Sequence, residues 1–295
     1  MRRRQFIGSV AASAGLGLAI KATGQADRKE TPVVRAADVR DYLLKLGPWV
    51  NPNDTVDTFK AGDPQTVVKK IAVAWMPYLW TIQRALDEGC NLLVCHEPVY
   101  YNHTDKDDAV FLFEVTRRKK QLIESSGLVI YRCHDVWDRV EGIGIPGAWG
   151  EFLGFSKLVN RSTFCHVYEI PETTSGELAR SVAGKLQAFG HETVQLIGPA
   201  DKRVRRIGIG TGAITPFREM AGRLEADLAI CTDDGFTFWS DATMAIDMGY
   251  PVIVVNHASS EEPGMRKLAA RLREVFPSVP VTAIAQECMF RTIRA

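Results

Sequence analysis

Several absences bound what this chain of 295 residues can be. Its most apolar amino-terminal stretch, Ser9 to Ile20, is too short to cross a hydrocarbon layer of about 30 Å as a helix. There is no excess of charge, since 36 Lys and Arg stand against 35 Asp and Glu. Four of the basic residues and none of the acidic ones lie in the first 26 positions, so the remainder holds 32 basic against 35 acidic side chains, which argues against a nucleic-acid partner. The local runs Arg117-Arg-Lys-Lys120 and Arg203 to Arg206 read as solvated faces. The six cysteines form no compact framework; Cys90, Cys95, Cys133 and Cys231 sit in or beside apolar strand-like runs and read as buried free thiols. No Gly-x-Ser-x-Gly elbow, P-loop or low-complexity tract is present. Gly208-Ile-Gly-Thr-Gly-Ala213, with Asp233 and Asp234 further on, superficially fits a dinucleotide fingerprint and hence a nicotinamide oxidoreductase. It is not amino-terminal and Pro216 interrupts it, so a glycine-rich turn near a cavity is the simpler reading.

What is present begins with an address. Arg2-Arg3-Arg4-Gln5-Phe6-Ile7, a weakly apolar core and Lys21 resemble a twin-arginine export signal, with Gly24-Gln25-Ala26 as the cleavage site. Residues 1–26 are therefore expected to be removed, leaving an exported, periplasmic protein with no membrane association.

The remainder, with 46% apolar and 24% charged residues over the chain, can bury a sizeable core. Its pattern alternates. A helix from Ala36 to Leu46 precedes strand Ile71 to Trp75, helix Leu79 to Glu88, strand Asn91 to Cys95, helix Val110 to Glu124 and strand Leu128 to Arg132. The last third repeats it with strands near Arg206 to Gly210, Asp227 to Cys231, Val252 to Val255 and Val279 to Ile284, separated by helices Phe217 to Glu225, Asp241 to Met248 and Glu262 to Val275. The spacing predicts an α/β fold of mostly parallel sheets covered by helices, with related halves at 33–150 and 203–295 joined by a connecting α/β segment at 151–202.

Parallel α/β sheets place their chemistry just beyond the carboxyl ends of strands. Three strands there run into His96-Glu97-Pro98, Cys133-His134-Asp135 and Asn256-His257, half of the six histidines, and each brings a carboxylate, Glu97, Asp138 or Glu261. His257 and Glu261 share a face if a helix starts at about His257, as do His134 and Asp138 unless Gly142 and Gly144 keep that stretch a loop. His96 and Glu97 can ligate together only if their strand has already ended. Mixed imidazole and carboxylate donors without a thiolate quartet suit Zn, Fe, Mn or Ni, and two such divalent ions could polarise a substrate and generate hydroxide at neutral pH. His103, His166 and His191 read as structural or exposed. Trp137, Trp149, Phe238 and Trp239 either line an apolar pocket near the metals or belong to the core.

Gly89-Cys-Asn-Leu-Leu-Val-Cys-His-Glu-Pro98, Tyr131-Arg-Cys-His-Asp-Val-Trp-Asp138 and Val255-Asn-His-Ala-Ser-Ser-Glu261 resemble the three metal motifs of the Nif-three-like dinuclear-metal-centre proteins, which include type-two GTP cyclohydrolase homologues. The resemblance extends to Thr55 to Pro64 and Ala226 to Thr232. It implies a toroidal homo-hexamer with two metals facing an inner cavity. Carried over by position, His96 and His257 would hold one metal, Asp138 and Glu97 the other, with Glu261 as bridge, while His134 would orient a ligand or shuttle a proton. Two departures stand out: Glu97 where the family usually has a second His, and Trp75-Met76-Pro77 where it tends to have Asp-x-Thr. The expectation is a metal-dependent hydrolase acting on an unknown small molecule, with Glu97 or His134 assisting proton transfer; a metal-binding or metal-delivery protein without turnover is the alternative.

Overall fold

The computed structural model describes residues 33–293; the expected export signal lies outside them. Helix α1 (Ala36–Leu46) is followed by β1 (Phe59–Ala61), β2 (Ile71–Ala74), α2 (Leu79–Asp87), β3 (Leu92–Cys95), α3 (Glu114–Ser126) and β4 (Val129–Arg132). Next come α4 (Ile145–Phe152), β5 (Lys157–Arg161), β6 (His166–Thr174), α5 (Ser175–Leu186) and β7 (Gln195–Ile197). The chain ends with β8 (Arg203–Ile209), α6 (Phe217–Ala221), β9 (Leu228–Thr232), α7 (Thr243–Asp247), β10 (Val252–Val255), α8 (His257–Val275) and β11 (Val281–Ala283).

These elements form two helix-covered sheets, ordered β1-β4-β3-β2-β11 and β5-β6-β8-β9-β10-β7. The fold is the expected α/β class. β4, β3, β2 and β11 run parallel, as do β8, β9 and β10. The remaining pairings are antiparallel: the edge strands β1 and β7 against β4 and β10, and β6 against both β8 and the edge strand β5. Thus the connecting segment supplies β5, β6 and β7 to the second sheet, and β11, the last strand, returns to the first.

The central strands are buried on both faces, which explains their continuous apolar sequences. In the first sheet Ile71, Val73, Leu92, Val94, Val129 and Tyr131 pack against α1 and α8, whereas Ala72, Ala74, Leu93, Cys95 and Ile130 face α2 and α3. The second sheet divides likewise between α4 with α5 and α6 with α7. Five of the six free cysteines are buried within this packing.

Some local expectations are corrected. The basic run on α3 is not uniformly solvated, because Lys119 is 1% exposed and donates to the Val99 carbonyl at 2.5 Å. Trp137 and Trp149 are fully buried core residues, while Phe238 and Trp239 are exposed and do not line the cavity described below. Helix α8 begins at His257 rather than Glu262, with Pro263 inside its early turns.

Candidate metal centre

Each sequence-predicted residue is delivered to one place by a different device. β3 ends at Cys95, and the backbone N–H groups of both His96 and Glu97 donate to the Trp75 carbonyl, at 3.0 and 2.9 Å. This bend frees adjacent side chains from strand alternation, so both can face the cavity. His134 and Asp138 lie on one turn closed by Asp138 N–H to the His134 carbonyl at 2.9 Å. Buried Asp57 organises that turn by accepting the backbone N–H groups of His134, Asp135 and Val136 at 2.6, 2.8 and 2.9 Å. His257 opens α8, putting Glu261 one turn later on the same face. Asp233 accepts the His257 backbone N–H at 2.9 Å, and Asp234 takes the ring Nδ1 at 2.7 Å, which fixes Nε2 as the atom facing inward.

The side chains converge around Glu261. Its Oε2 lies 3.4 Å from His96 Nε2 and 3.1 Å from His257 Nε2. His96 Nε2 is also 3.2 Å from Asp138 Oδ1, and His257 Nε2 is 3.3 Å from Glu97 Oε1. Two groups that could hold a metal ion share Glu261: His96 with Asp138, and Glu97 with His257, each set having ligand atoms within 4.8 Å of one another. This pairing differs from the one implied by resemblance, which joined His96 to His257. The difference follows from Glu97, which the bend after β3 turns toward α8. His134 stacks on His96 at 4.5 Å between centroids and joins His96 and Glu97 in a third potential group.

The donor set fits metal ions. His96 Nε2, His257 Nε2 and Asp138 Oδ1 are buried, close to oppositely charged atoms, yet make no well-directed hydrogen bond. Buried polar atoms rarely lack partners, and here three aim at common points. Electrostatics agree. Burial pulls the His96 pKa down, but the Glu261 and Asp138 carboxylates more than offset it and hold it up to about 10. His257 is likewise driven down by burial and raised well above the usual range by Glu261 and Asp234. Burial opposes ionisation of Glu97, but the neighbouring His257 and His96 rings keep its carboxyl low. The cluster thus holds protons in places where cations would serve.

Sequence reasoning missed four contributors. Trp75 Nε1 donates to Glu261 Oε2 at 2.7 Å. Arg132, fully buried at the end of β4, donates through Nε to the His96 carbonyl at 2.8 Å and places its terminal nitrogen 3.5 Å from Glu97 Oε2. His103, set aside as structural or exposed, lines the cavity edge-on to His134 at 5.3 Å. Asp234, noted only as part of the superficial dinucleotide fingerprint, orients His257 instead. The glycine-rich segment serves the cavity too: Gly212 has φ +63°, and a Cβ there would lie 2.7 Å from Glu261 Oε1. Placement of Asp57, Trp75 and Asp234 depends on contacts far apart in sequence; only the unusual Trp75-Met76-Pro77 was visible as a signal.

Fold and site together define a two-sheet α/β protein with a buried imidazole and carboxylate cluster able to bind metal. The chain belongs to the Duf34/NIF3 (NGG1p interacting factor 3) family, whose sequence profile matches residues 55–288. It is 24% identical over 245 residues to a GTP cyclohydrolase 1 type 2 homolog of Clostridium perfringens, covering 80% of this chain and 90% of that protein. A Clostridium acetobutylicum protein of the same name is 24% identical over 234 residues, covering 75% and 84%. Among solved structures, a Staphylococcus aureus hypothetical protein superposes with a TM-score of 0.74 at 17% identity, covering 89% of this chain and all of that one. A Bacillus cereus protein related to NIF3 gives 0.73 at 12% identity over 89% of this chain and 99% of that one.

Proposed function

We propose that this protein is a dinuclear metal-dependent hydrolase of a small molecule, working as a homo-hexamer outside the cytoplasm. The observation that carries the reading is the pair of donor groups sharing Glu261, with unpartnered buried atoms on His96, His257 and Asp138. His96, Asp138 and Glu261 would hold one divalent ion, and Glu97, His257 and Glu261 the other. Such ions supply Lewis acidity and lower the pKa of water toward neutrality. The protein's own part is to hold the donors rigidly, through Trp75, Asp234 and Asp57, and to move a proton at the His134 ring beside the cluster.

The amino-terminal twin-arginine motif supports export, and it disfavours GTP, the substrate in the clostridial relatives' names, because nucleoside triphosphates are scarce outside the cytoplasm. Burial supports turnover over metal delivery: His96 is inaccessible and Glu261 is 2% exposed, which suits retention rather than handover. Elemental analysis of purified protein tests the reading, with two equivalents of metal expected and loss of metal in His257→Ala. Far less than two equivalents, with His257→Ala unchanged, overturns it.

A further inference from the structure

The cavity around the cluster, about 270 Å³, does not end at the ligands. Its apolar wall is made by Phe164 and Ile214, and both residues, with His134 and Asp138, also line an adjoining space of about 380 Å³ that adds Trp49 and Arg139. A third space, about 390 Å³, shares Trp49, Asp138 and Arg139 and extends to Arg161. These spaces form one trough with Asp138 common to all, and their volumes match those of small-molecule sites.

At the junction of the outer two spaces, the Arg139 guanidinium lies 5.4 Å from the Trp49 ring centroid, a cation–π arrangement that holds it in place. Among the described residues it forms no ion pair, whereas Arg161 on the same rim is neutralised by Glu141 at 2.7 Å. Arg139 therefore retains its full fork of N–H donors for a visitor. Asp138 and Arg139 are sequence neighbours, their Cα atoms about 3.8 Å apart across one peptide bond, so the cluster and the rim cation are anchored on one short stretch of backbone. With two divalent ions, the charges of Glu97, Asp138 and Glu261 are overcompensated and the floor is positive, while at the rim, beyond an apolar stretch, Arg139 is a cation without an ion-pair partner among the described residues, beside Asp54, Asp135 and Glu141.

We propose that the trough binds a small molecule with a planar apolar body and one terminal oxyanion, the oxyanion held by Arg139 against Trp49 and the body lying on Phe164 and Ile214 toward the cluster. This deepens the hydrolase reading and rests on it for the identity of the inner end. Arg139 and Trp49 select the substrate; neither holds the metal.

Benzenesulfonate is a suitable probe, because sulfonates are poor metal ligands. Binding to the metal-replete full-length protein is measured by calorimetry, and distances to the cluster by proton relaxation in the Mn-loaded form. The expected result is at least tenfold weaker binding in Arg139→Gln and in Trp49→Leu, with metal content and melting temperature unchanged, and less than a threefold change in Arg161→Gln. The para proton is expected to relax faster than the ortho protons, since the sulfonate points away from the metals. Unchanged affinity in Arg139→Gln, or faster relaxation of the ortho protons, overturns the proposal. No binding of the probe to a protein that does load metal overturns it while leaving the hydrolase reading intact. Conversely, binding that depends on Arg139 in a protein that never loads metal upholds the oxyanion subsite and removes the hydrolase reading.

Discussion

Replacing Trp75 by Phe isolates one hydrogen bond at the centre of the cluster. The indole is 1% exposed, its N–H reaches Glu261 Oε2 at 2.7 Å, and its ring meets His257 edge-on at 5.2 Å. That oxygen is the one nearest both imidazoles, so Trp75 fixes the carboxylate shared by the two donor groups. A hydrogen bond to a charged group contributes about 1.5–3 kcal/mol, and loss of a residue that orients a metal ligand weakens metal binding by about 10- to 100-fold. The two figures agree, because each factor of ten corresponds to about 1.4 kcal/mol. Trp75→Phe should therefore lower metal affinity by one to two orders of magnitude in competition with a chromophoric chelator. The loss of packing volume is controlled by Trp149→Phe: Trp149 is also fully buried, but its indole nitrogen has no hydrogen-bond partner among the described residues. Affinity in Trp75→Phe within twofold of that in Trp149→Phe would refute the positioning role.

The remaining predictions concern protons, the turn and the glycine. His96, held up to about 10, and His257, also raised, must both lose a proton to bind metal, so affinity should climb from pH 6 to 9 with about two protons released on loading at neutral pH, read by calorimetry in buffers of different ionisation enthalpy; a flat profile contradicts this. The same shift stabilises the metal-free fold fully below pH 6.5, the unfolded value, and that stabilisation is lost as pH rises toward about 10, so the urea midpoint should fall over this window. Asp57→Ala leaves three backbone N–H groups without their acceptor and should cost about 3 kcal/mol in urea unfolding, with Asp57→Asn recovering part of it. Gly212→Ala should reduce metal content because its Cβ meets Glu261 Oε1, whereas Gly249→Ala, with φ +56° and open space around it, should cost only about 1 kcal/mol of backbone strain.

Much of this site was legible because doubly buried strands leave a plain signature. The runs ending at Cys95, Tyr131 and Val255 are continuously apolar, and a histidine one to three residues after each is conspicuous. The elements that escaped have no such signature. β5 is exposed along most of its length, and α4 carries Pro146 and Gly147 in its first turn, so neither shows a clear period. Pro263 made the true start of α8 look like a boundary, although the four-residue spacing of His257 and Glu261 pointed to the observed start. The pairing of donors was hidden for another reason: which face Glu97 takes is decided by two hydrogen bonds to Trp75, 21 or more residues earlier in the chain. Adjacency in sequence could nominate His96 and Glu97 together but could not say which partner each would meet.

Glu97 is the position where site chemistry and fold stability meet. Arg132 is fully buried, and the carboxylate facing its terminal nitrogen is that of Glu97, itself 8% exposed. The histidine expected there by resemblance could not neutralise a guanidinium, so Glu97 and Arg132 act as a matched pair. Removing one partner of a buried ion pair costs about 3–5 kcal/mol, whereas replacing both with apolar residues of similar volume is often neutral. Glu97→Gln should therefore destabilise the metal-free protein by about 3 kcal/mol, and adding Arg132→Met should restore most of that loss even though the donor at 97 is still missing. Metal content should follow the other logic, falling in Glu97→Gln and staying low in the double variant. Strictly additive stability losses would show that the two side chains are uncoupled, and metal recovery in the double variant would show that Arg132 rather than the absent carboxylate limits binding.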